Sequence, residues 1–429
     1  MSLGISLFGV FFLLLFAGMP ISISLGIAAV GSILMQGFPP SVLPTVIYAS
    51  LGKFTLLAIP FFILAGVIME YAGISKRLVR LANVLVGHIE GGLAIVTVVV
   101  ACFFAAISGS GPATVAAIGS ILIPAMVKAG YDKGFAASLM AASGNVGIII
   151  PPSIAFVVYG VLAEVSIGRL FTAGIIPGIL LGFCLIAVSL YLLRNRKGEL
   201  ARFKPSTLGE KWQAFKEASW GLMAPVIILG GIYGGIVTPT EAAGIAVVYG
   251  LFVGVFIYRE IRWKDLWRLL VDASVGSAVV MFIIAFASVF AWVLTTSHFA
   301  TDLSEKLLSV TSNKTILLLL INGILLIAGC FIDAASAYYI FLPIMLPVIR
   351  QLGVDPIVFG VFMTMNLAIG MTTPPVGLDI FMASNISGVP LKEVSVKVVP
   401  FIVASLVALA LVTFIPTLSL WLPNLMGIK

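Results

Sequence analysis

Apolar residues run along this chain in blocks of about 15–25, and the blocks are cut by short clusters of Gly, Pro and Ser rather than by charge. Blocks of that length match helices able to cross a bilayer. Two cuts fall inside apolar stretches instead of between them. SGSGPAT (Ser108 to Thr114) interrupts one run, and GNVGIIIPPS (Gly144 to Ser153) interrupts the next. Backbone facing lipid cannot leave N–H and C=O groups unpaired, so such cuts imply unwound chain lining a protein-walled, wet cavity. Carriers hold ions and substrates at breaks of this kind.

The pattern occurs twice. Shifting the chain by 223 residues pairs Pro124 with Pro347, Gly130 with Gly353, Asp132 with Asp355 and Met140 with Met363. The same shift pairs Gly147 with Gly370, Pro151 with Pro374 and Pro152 with Pro375. The matches sit on residues that turn or break helices, which argues for an internal repeat.

The expected order is two short helices hinged at Met19-Pro20, an interfacial arm at 41–52, a span at 54–72 and an amphipathic surface helix around Lys76, Arg77 and Arg80. A re-entrant hairpin at about 92–128 follows, then a broken crossing at about 133–165 and a crossing at 169–193. A polar linker, 194–217, joins residues 1–193 to the second half, 218–429. That half repeats the plan with crossings near 218–237, 240–258 and 273–297, an arm at 260–271, a hairpin at about 315–350, a broken crossing at about 356–388 and a last span at 399–423. The first eighteen residues lack a basic leader region and read as a retained helix.

Composition agrees with this class: 61% of residues are hydrophobic, 10% are charged, and the mean hydropathy is +1.21. The fold class is therefore an all-α polytopic membrane protein. The net charge of +7 lies beside apolar spans, where it sets topology, and no nucleic-acid partner is expected. With the linker in the cytoplasm, 18 of the 24 Lys and Arg residues fall on that side. Five crossings per half then give two inverted-topology repeats with both termini outside. The three cysteines read as packing residues, and His88 and His298 as interfacial.

Each hairpin tip and each break offers a helix N-terminus, which favours an anion, and free carbonyls, which suit a small hard cation. The first tip and break contain no ionisable residue. Asp333 lies in the second tip, either capping the half-helix from Ala334 or touching ion or substrate, and Asp379 lies just after the second break. The scarcity of intramembrane acids favours Na+ over protons as the coupling ion. Candidate substrate contacts are Ser110, Thr114, Asn145, Asp333, Ser336 and Thr372. A hydrolase is disfavoured, because no Gly-x-Ser-x-Gly turn, depth-matched His or metal-ligand cluster is present. A channel is disfavoured by two half-membrane hairpins entering from opposite faces.

The segments ISGSGPATVAAIGSILIPAM, GNVGIIIPPS, FIDAASAYYIFLPIMLPV and GMTTPPVGLDIF resemble the large membrane subunit (DctM-like, SiaM in the sialic-acid branch) of tripartite ATP-independent periplasmic (TRAP) transporters, over essentially the full length. The resemblance implies a bacterial inner-membrane elevator carrier driven by two or more Na+ ions, in which a transport domain slides against a scaffold. It implies a separate small four-helix membrane subunit (DctQ/SiaQ-like) and a periplasmic binding protein (DctP/SiaP-like) that delivers an organic acid anion. It also implies one Na+ site at Ser108, Gly147, Ile150 and Ala105, and a second at Gly329, Gly370, Thr373 and Val376. The two cannot be identical, since Ser108 aligns with Phe331. A stand-alone Na+/carboxylate symporter is the alternative. C4-dicarboxylates and sialic acid both fit as substrates, and overall likeness leans to sialic acid.

Overall fold

A computed structural model describes residues 3–194, 205–311 and 313–428. It is built of helices, and no strand occurs among the described residues. Six helices are long and apolar enough to cross a membrane, rising to eight if each of two bent pairs counts as one span. The bent pairs are Lys133–Ile149 with Ile154–Ala163, at 42°, and Leu391–Lys397 with Val399–Phe414, at 47°.

The first half opens on two helices joined by a short turn. Leu3–Phe16 and Ile21–Met35 flank the Met19-Pro20 hinge, and the arm is Val42–Leu51. Phe54–Leu57 winds into Ala58–Tyr71. Ile74–Val86 is amphipathic, burying Ile74, Leu78, Leu81 and Ala82 while Lys76 stays exposed. Gly92–Ser108 and Gly111–Lys128 form a hairpin with only Gly109 and Ser110 between them. The crossing after it is broken, with helices Lys133–Gly144, Val146–Ile149 and Ile154–Ala163, and Ile167–Leu193 closes the half.

The second half departs from expectation in four places. The linker is not all loop: Leu208–Tyr233 is one helix, opened by a capping box between Thr207 and Glu210. Residues 195–204 lie outside the described residues. The arm at 260–271 is continuous with the crossing after it, as Trp263–Thr296. Its charges (Asp265, Arg268, Asp272) do not stop a helix, because only Pro or Gly would remove hydrogen bonds or backbone order there. An unexpected helix, Phe299–Val310, precedes the second hairpin. The last span, expected at 399–423, is divided at Pro416 into Val399–Phe414 and Thr417–Leu425, and a short helix, Leu391–Lys397, precedes it at a bend around Val398.

The second hairpin joins Lys314–Gly329 to Ala334–Gln351, and the second broken crossing joins Pro356–Gly370 to Leu378–Ser387. The helices pack in two groups. Helix Trp263–Thr296 lies against Ile21–Met35, Val42–Leu51 and Ala58–Tyr71, and Ala58–Tyr71 lies against Pro239–Phe252. In the other group, Gly111–Lys128 packs on Lys133–Gly144 and Leu378–Ser387, while Ile167–Leu193 packs on Val399–Phe414 and Thr417–Leu425. The groups touch chiefly where Ile74–Val86 meets Gly92–Ser108 and where Trp263–Thr296 meets Ala334–Gln351.

Two carboxylates placed alike in the halves hold the broken crossings at their starts. Asp132 accepts from Phe135 N at 2.8 Å, and Asp355 accepts from Ile357 N at 2.7 Å. An Asp cap of this type contributes about 1 kcal/mol. Each also faces a cation from the other half: Lys397 Nζ lies 2.5 Å from Asp132, and Arg169 lies 3.9 Å from Asp355.

Candidate functional site

Both breaks are built on tight backbone contact, so Gly at these points follows from space. In the first half, a Cβ on Gly147 would stand 2.6 Å from Thr114 Oγ1 and 3.0 Å from the Ser110 carbonyl oxygen. In the second, a Cβ on Gly370 would stand 2.5 Å from both Cα and C of Gly329. Tip and break therefore touch in each half.

A matched backbone bond ties each tip to its break. Ile154 N donates to the Gly109 carbonyl at 3.3 Å, and Gly377 N donates to the Cys330 carbonyl at 3.4 Å. Ile154 and Gly377 are the same place in the repeat. Gly109 and Gly377 have positive φ, +61° and +57°, a region that a Cβ disfavours. Both breaks contain a cis Pro-Pro bond, at Pro151-Pro152 and Pro374-Pro375.

The first tip is polar and closed. Ser108 Oγ and Thr114 Oγ1 are 2.9 Å apart, and Thr114 Oγ1 donates to the Ser110 carbonyl at 2.8 Å. Ala105 accepts from Gly109 N at 3.0 Å, which ends the first half-helix. Ser153 spans the break: its hydroxyl donates to the Ile148 carbonyl and accepts from Phe156 N at 3.3 Å. Ile150 is extended, its side chain packs over Gly178 and its N–H donates to the Val146 carbonyl at 3.0 Å, so only its own carbonyl is left to face a ligand.

The second tip is organised by Asp333. Its Oδ2 accepts from Ala335 N at 3.0 Å and Ser336 N at 3.4 Å, and its Oδ1 accepts from Ser336 Oγ at 2.5 Å. The capping role considered for Asp333 is thus present, and Ser336 is bound up with it. Thr373 Oγ1 donates to the Ile369 carbonyl at 2.8 Å, leaving Thr373 its main-chain oxygen for a ligand. Val376 is half-buried and immediately precedes Gly377.

The structure joins two candidates that sequence spacing keeps far apart. Asn145 Nδ2 donates to Thr372 Oγ1 at 3.1 Å, linking the first break to the second. Asp379 is fully buried, and its Oδ2 lies against Gly111 and Gly144 of the first half. Sequence spacing offered no sign of this, because the approach depends on how the halves pack. Among the described residues no group of three or more His, Cys, Asp or Glu could hold a metal ion, so oxygens of the main chain, hydroxyls and amides dominate these breaks.

The chain as a whole is similar to known proteins. Residues 8–418 match the family model described as tripartite ATP-independent periplasmic transporter, DctM component. The isethionate TRAP transporter permease protein DctMQ of Oleidesulfovibrio alaskensis is 45% identical over 97% of this chain, which spans 65% of that protein. The C4-dicarboxylate TRAP transporter large permease protein DctM of Rhodobacter capsulatus is 40% identical, covering 98% of this chain and 99% of its own. The sialic acid TRAP transporter large permease protein SiaM of Vibrio cholerae is 37% identical over 96% of each. The YdaH transporter of Alcanivorax borkumensis shares the fold, with a TM-score of 0.63 over 90% of this chain and 89% of that one at 16% identity. The chain therefore belongs to the DctM large-permease family of TRAP transporters, multi-pass inner-membrane carriers of organic acids rather than enzymes.

Proposed function

We propose that this chain drives uptake of a small organic acid anion with an inward Na+ gradient, taking the acid from a periplasmic binding protein and working beside a small DctQ-like membrane subunit. The observation that carries this reading is the pairing of tip with break in both halves, where hydroxyl and main-chain oxygens cluster in a region poor in charge. Such ligands suit a hard monovalent cation. One Na+ is held by Ser108, Gly147, Ile150 and Ala105, and another by Gly329, Gly370, Thr373 and Val376. The substrate carboxylate meets the hydroxyl of Ser110 and helix N-terminal N–H groups, with bound Na+ offsetting its charge, because the Thr114 and Ser336 hydroxyls already give their protons to Ser110 and Asp333.

The two helix groups support an elevator. The group holding both hairpins and both breaks moves as one body, and the group around Trp263–Thr296 stays fixed. The halves are inverted relative to each other, and both termini are periplasmic. Greater identity to isethionate and C4-dicarboxylate carriers than to the sialic acid carrier shifts the preferred substrate from sialic acid towards smaller acids.

Proteoliposomes holding the chain and its small subunit test this directly. Uptake is expected to need both an inward Na+ gradient and loaded binding protein. Full uptake with K+ in place of Na+ under a proton gradient overturns Na+ coupling. Uptake by the chain alone favours a stand-alone symporter.

A further inference from the structure

Three oxygen atoms are buried without partners where the halves meet. Asp379 is fully buried, and neither Oδ1 nor Oδ2 takes part in a hydrogen bond. Asn145 is also fully buried, and its Oδ1 is unpartnered. The orientation of the Asn145 amide is fixed by its neighbour. Thr372 gives its hydroxyl proton to the Ile369 carbonyl at 2.9 Å, so towards Asn145 it can only accept. The amide nitrogen must point at Thr372, and the amide oxygen is the free end.

The two residues share one neighbourhood. A Cβ on Gly144, the residue before Asn145, would stand 2.8 Å from Asp379 Oδ2. A Cβ on Gly111 would stand 3.0 Å from the same oxygen and 3.1 Å from the Gly144 carbonyl oxygen. Asp379 N donates to the Met371 carbonyl at 3.0 Å, which places Asp379 beside the residue that precedes Thr372. A carboxylate taken out of water without a partner is penalised by several kcal/mol.

We propose that Asp379 and Asn145 form a Na+ site shared by the two halves, separate from the two sites at the tips. All three unmatched atoms are acceptors. A proton can serve only two of them, the oxygen it is bonded to and the one it is donated to. A cation, unlike a proton, is served by several acceptor oxygens at once, and one carboxylate neutralises one monovalent charge. Because its ligands come from both halves, an ion here holds the two breaks in one arrangement. The inference rests on the Na+-coupled reading above and extends it.

Equilibrium binding of radiolabelled Na+ to the purified chain with its small subunit counts ions without any transport. Asp379→Asn is expected to bind one Na+ fewer than wild type, and Asn145→Ala to weaken one ion by about tenfold. An unchanged count and affinity in both variants overturns the shared site. So does an unchanged count in Asp379→Asn together with loss of proton release on substrate binding, which would make the carboxylate a proton carrier. If wild type binds no Na+ at all, the coupling reading itself fails. If wild type binds Na+ and both variants match it, only the shared site fails. Should Asp379→Asn not accumulate, Asn145→Ala decides alone, because it leaves no new charge buried.

Discussion

Gly329 and Gly370 meet backbone to backbone, with no room between them for one methyl group. A Cβ on Gly370 would press on main-chain atoms, which cannot swing aside as a side chain can. At Gly147 the nearest atom is the hydroxyl of Thr114, with main-chain oxygen slightly further away. Gly370→Ala is therefore expected to lower stability by about 1–3 kcal/mol and to reduce Na+-dependent uptake more than Gly147→Ala does. Gly147→Val and Gly370→Val are both expected to abolish that uptake. Uptake against Na+ concentration, with membrane expression measured in parallel, checks the order. Wild-type Na+ dependence in both valine variants would remove the breaks from the mechanism.

The serines at the two tips should not behave alike. Ser108 lies against Thr114 at the first tip, whereas Ser336 gives its hydroxyl to the Asp333 cap. Ser108→Ala is expected to raise the Na+ concentration for half-maximal uptake. Ser336→Ala is expected to leave it near wild type while lowering thermal stability by about 1 kcal/mol. Thr373→Ala should be mild, because its hydroxyl is already used within the helix and its carbonyl is kept. A larger Na+ shift in Ser336→Ala than in Ser108→Ala contradicts the assignment.

A contact across the two helix groups offers a mechanical test. Ser50 Oγ, on the arm Val42–Leu51, lies 3.1 Å from the Tyr339 hydroxyl in the second hairpin. If the hairpin group slides, this contact exists in only part of the cycle. The pair Ser50→Cys with Tyr339→Cys, bridged by a bifunctional thiol reagent about as long as the tyrosine ring it replaces, should crosslink to an extent that depends on Na+ and substrate, and the crosslink should stop transport. Equal crosslinking in every condition with transport intact argues against an elevator.

The start of the first broken crossing can be probed by charge exchange. Lys397 joins Asp132 and Glu393, at 2.5 and 2.7 Å, and all three side chains are about one-third to one-half exposed. Solvent at that exposure weakens the pairing, so Lys397→Met should cost only about 1 kcal/mol. Asp132→Ala should cost more, since it removes the cap as well as the pair. Thermal unfolding of the two variants checks the ranking. Equal losses would mean that the cap contributes nothing.

Much of this architecture could be read from the chain because Gly, Pro and Ser report on backbone directly. Gly109, Gly370 and the two Pro-Pro pairs mark where helices end, and the first tip and both breaks fall there. Charge was a poorer guide. The arm expected at 260–271 carries Asp265 and Arg268, yet both ride on one helix of 34 residues, Trp263–Thr296. Phe299–Val310 went unseen because Asp302, Glu305 and Lys306 interrupt any apolar run, although its buried face of Ala300, Ser304 and Leu307 is helical in spacing. The approach of Asp379 to Gly111 and Gly144 could not be read at all. It joins residues more than two hundred positions apart, and no local pattern encodes such a distance.

The clasp between Asp132 and Lys397 also bears on how the protein is made. The two residues are 265 positions apart. During synthesis the first broken crossing enters the membrane long before its partner has been translated. Asp379 and Thr372, which close over the first break, also arrive late. The N-terminal half must therefore wait in a loosely packed form, open to lipid and to quality-control proteases. Loss of the chain from Thr372 onward would leave the earlier half unfinished too, so a frameshift before Thr372 should eliminate the whole protein rather than trim it.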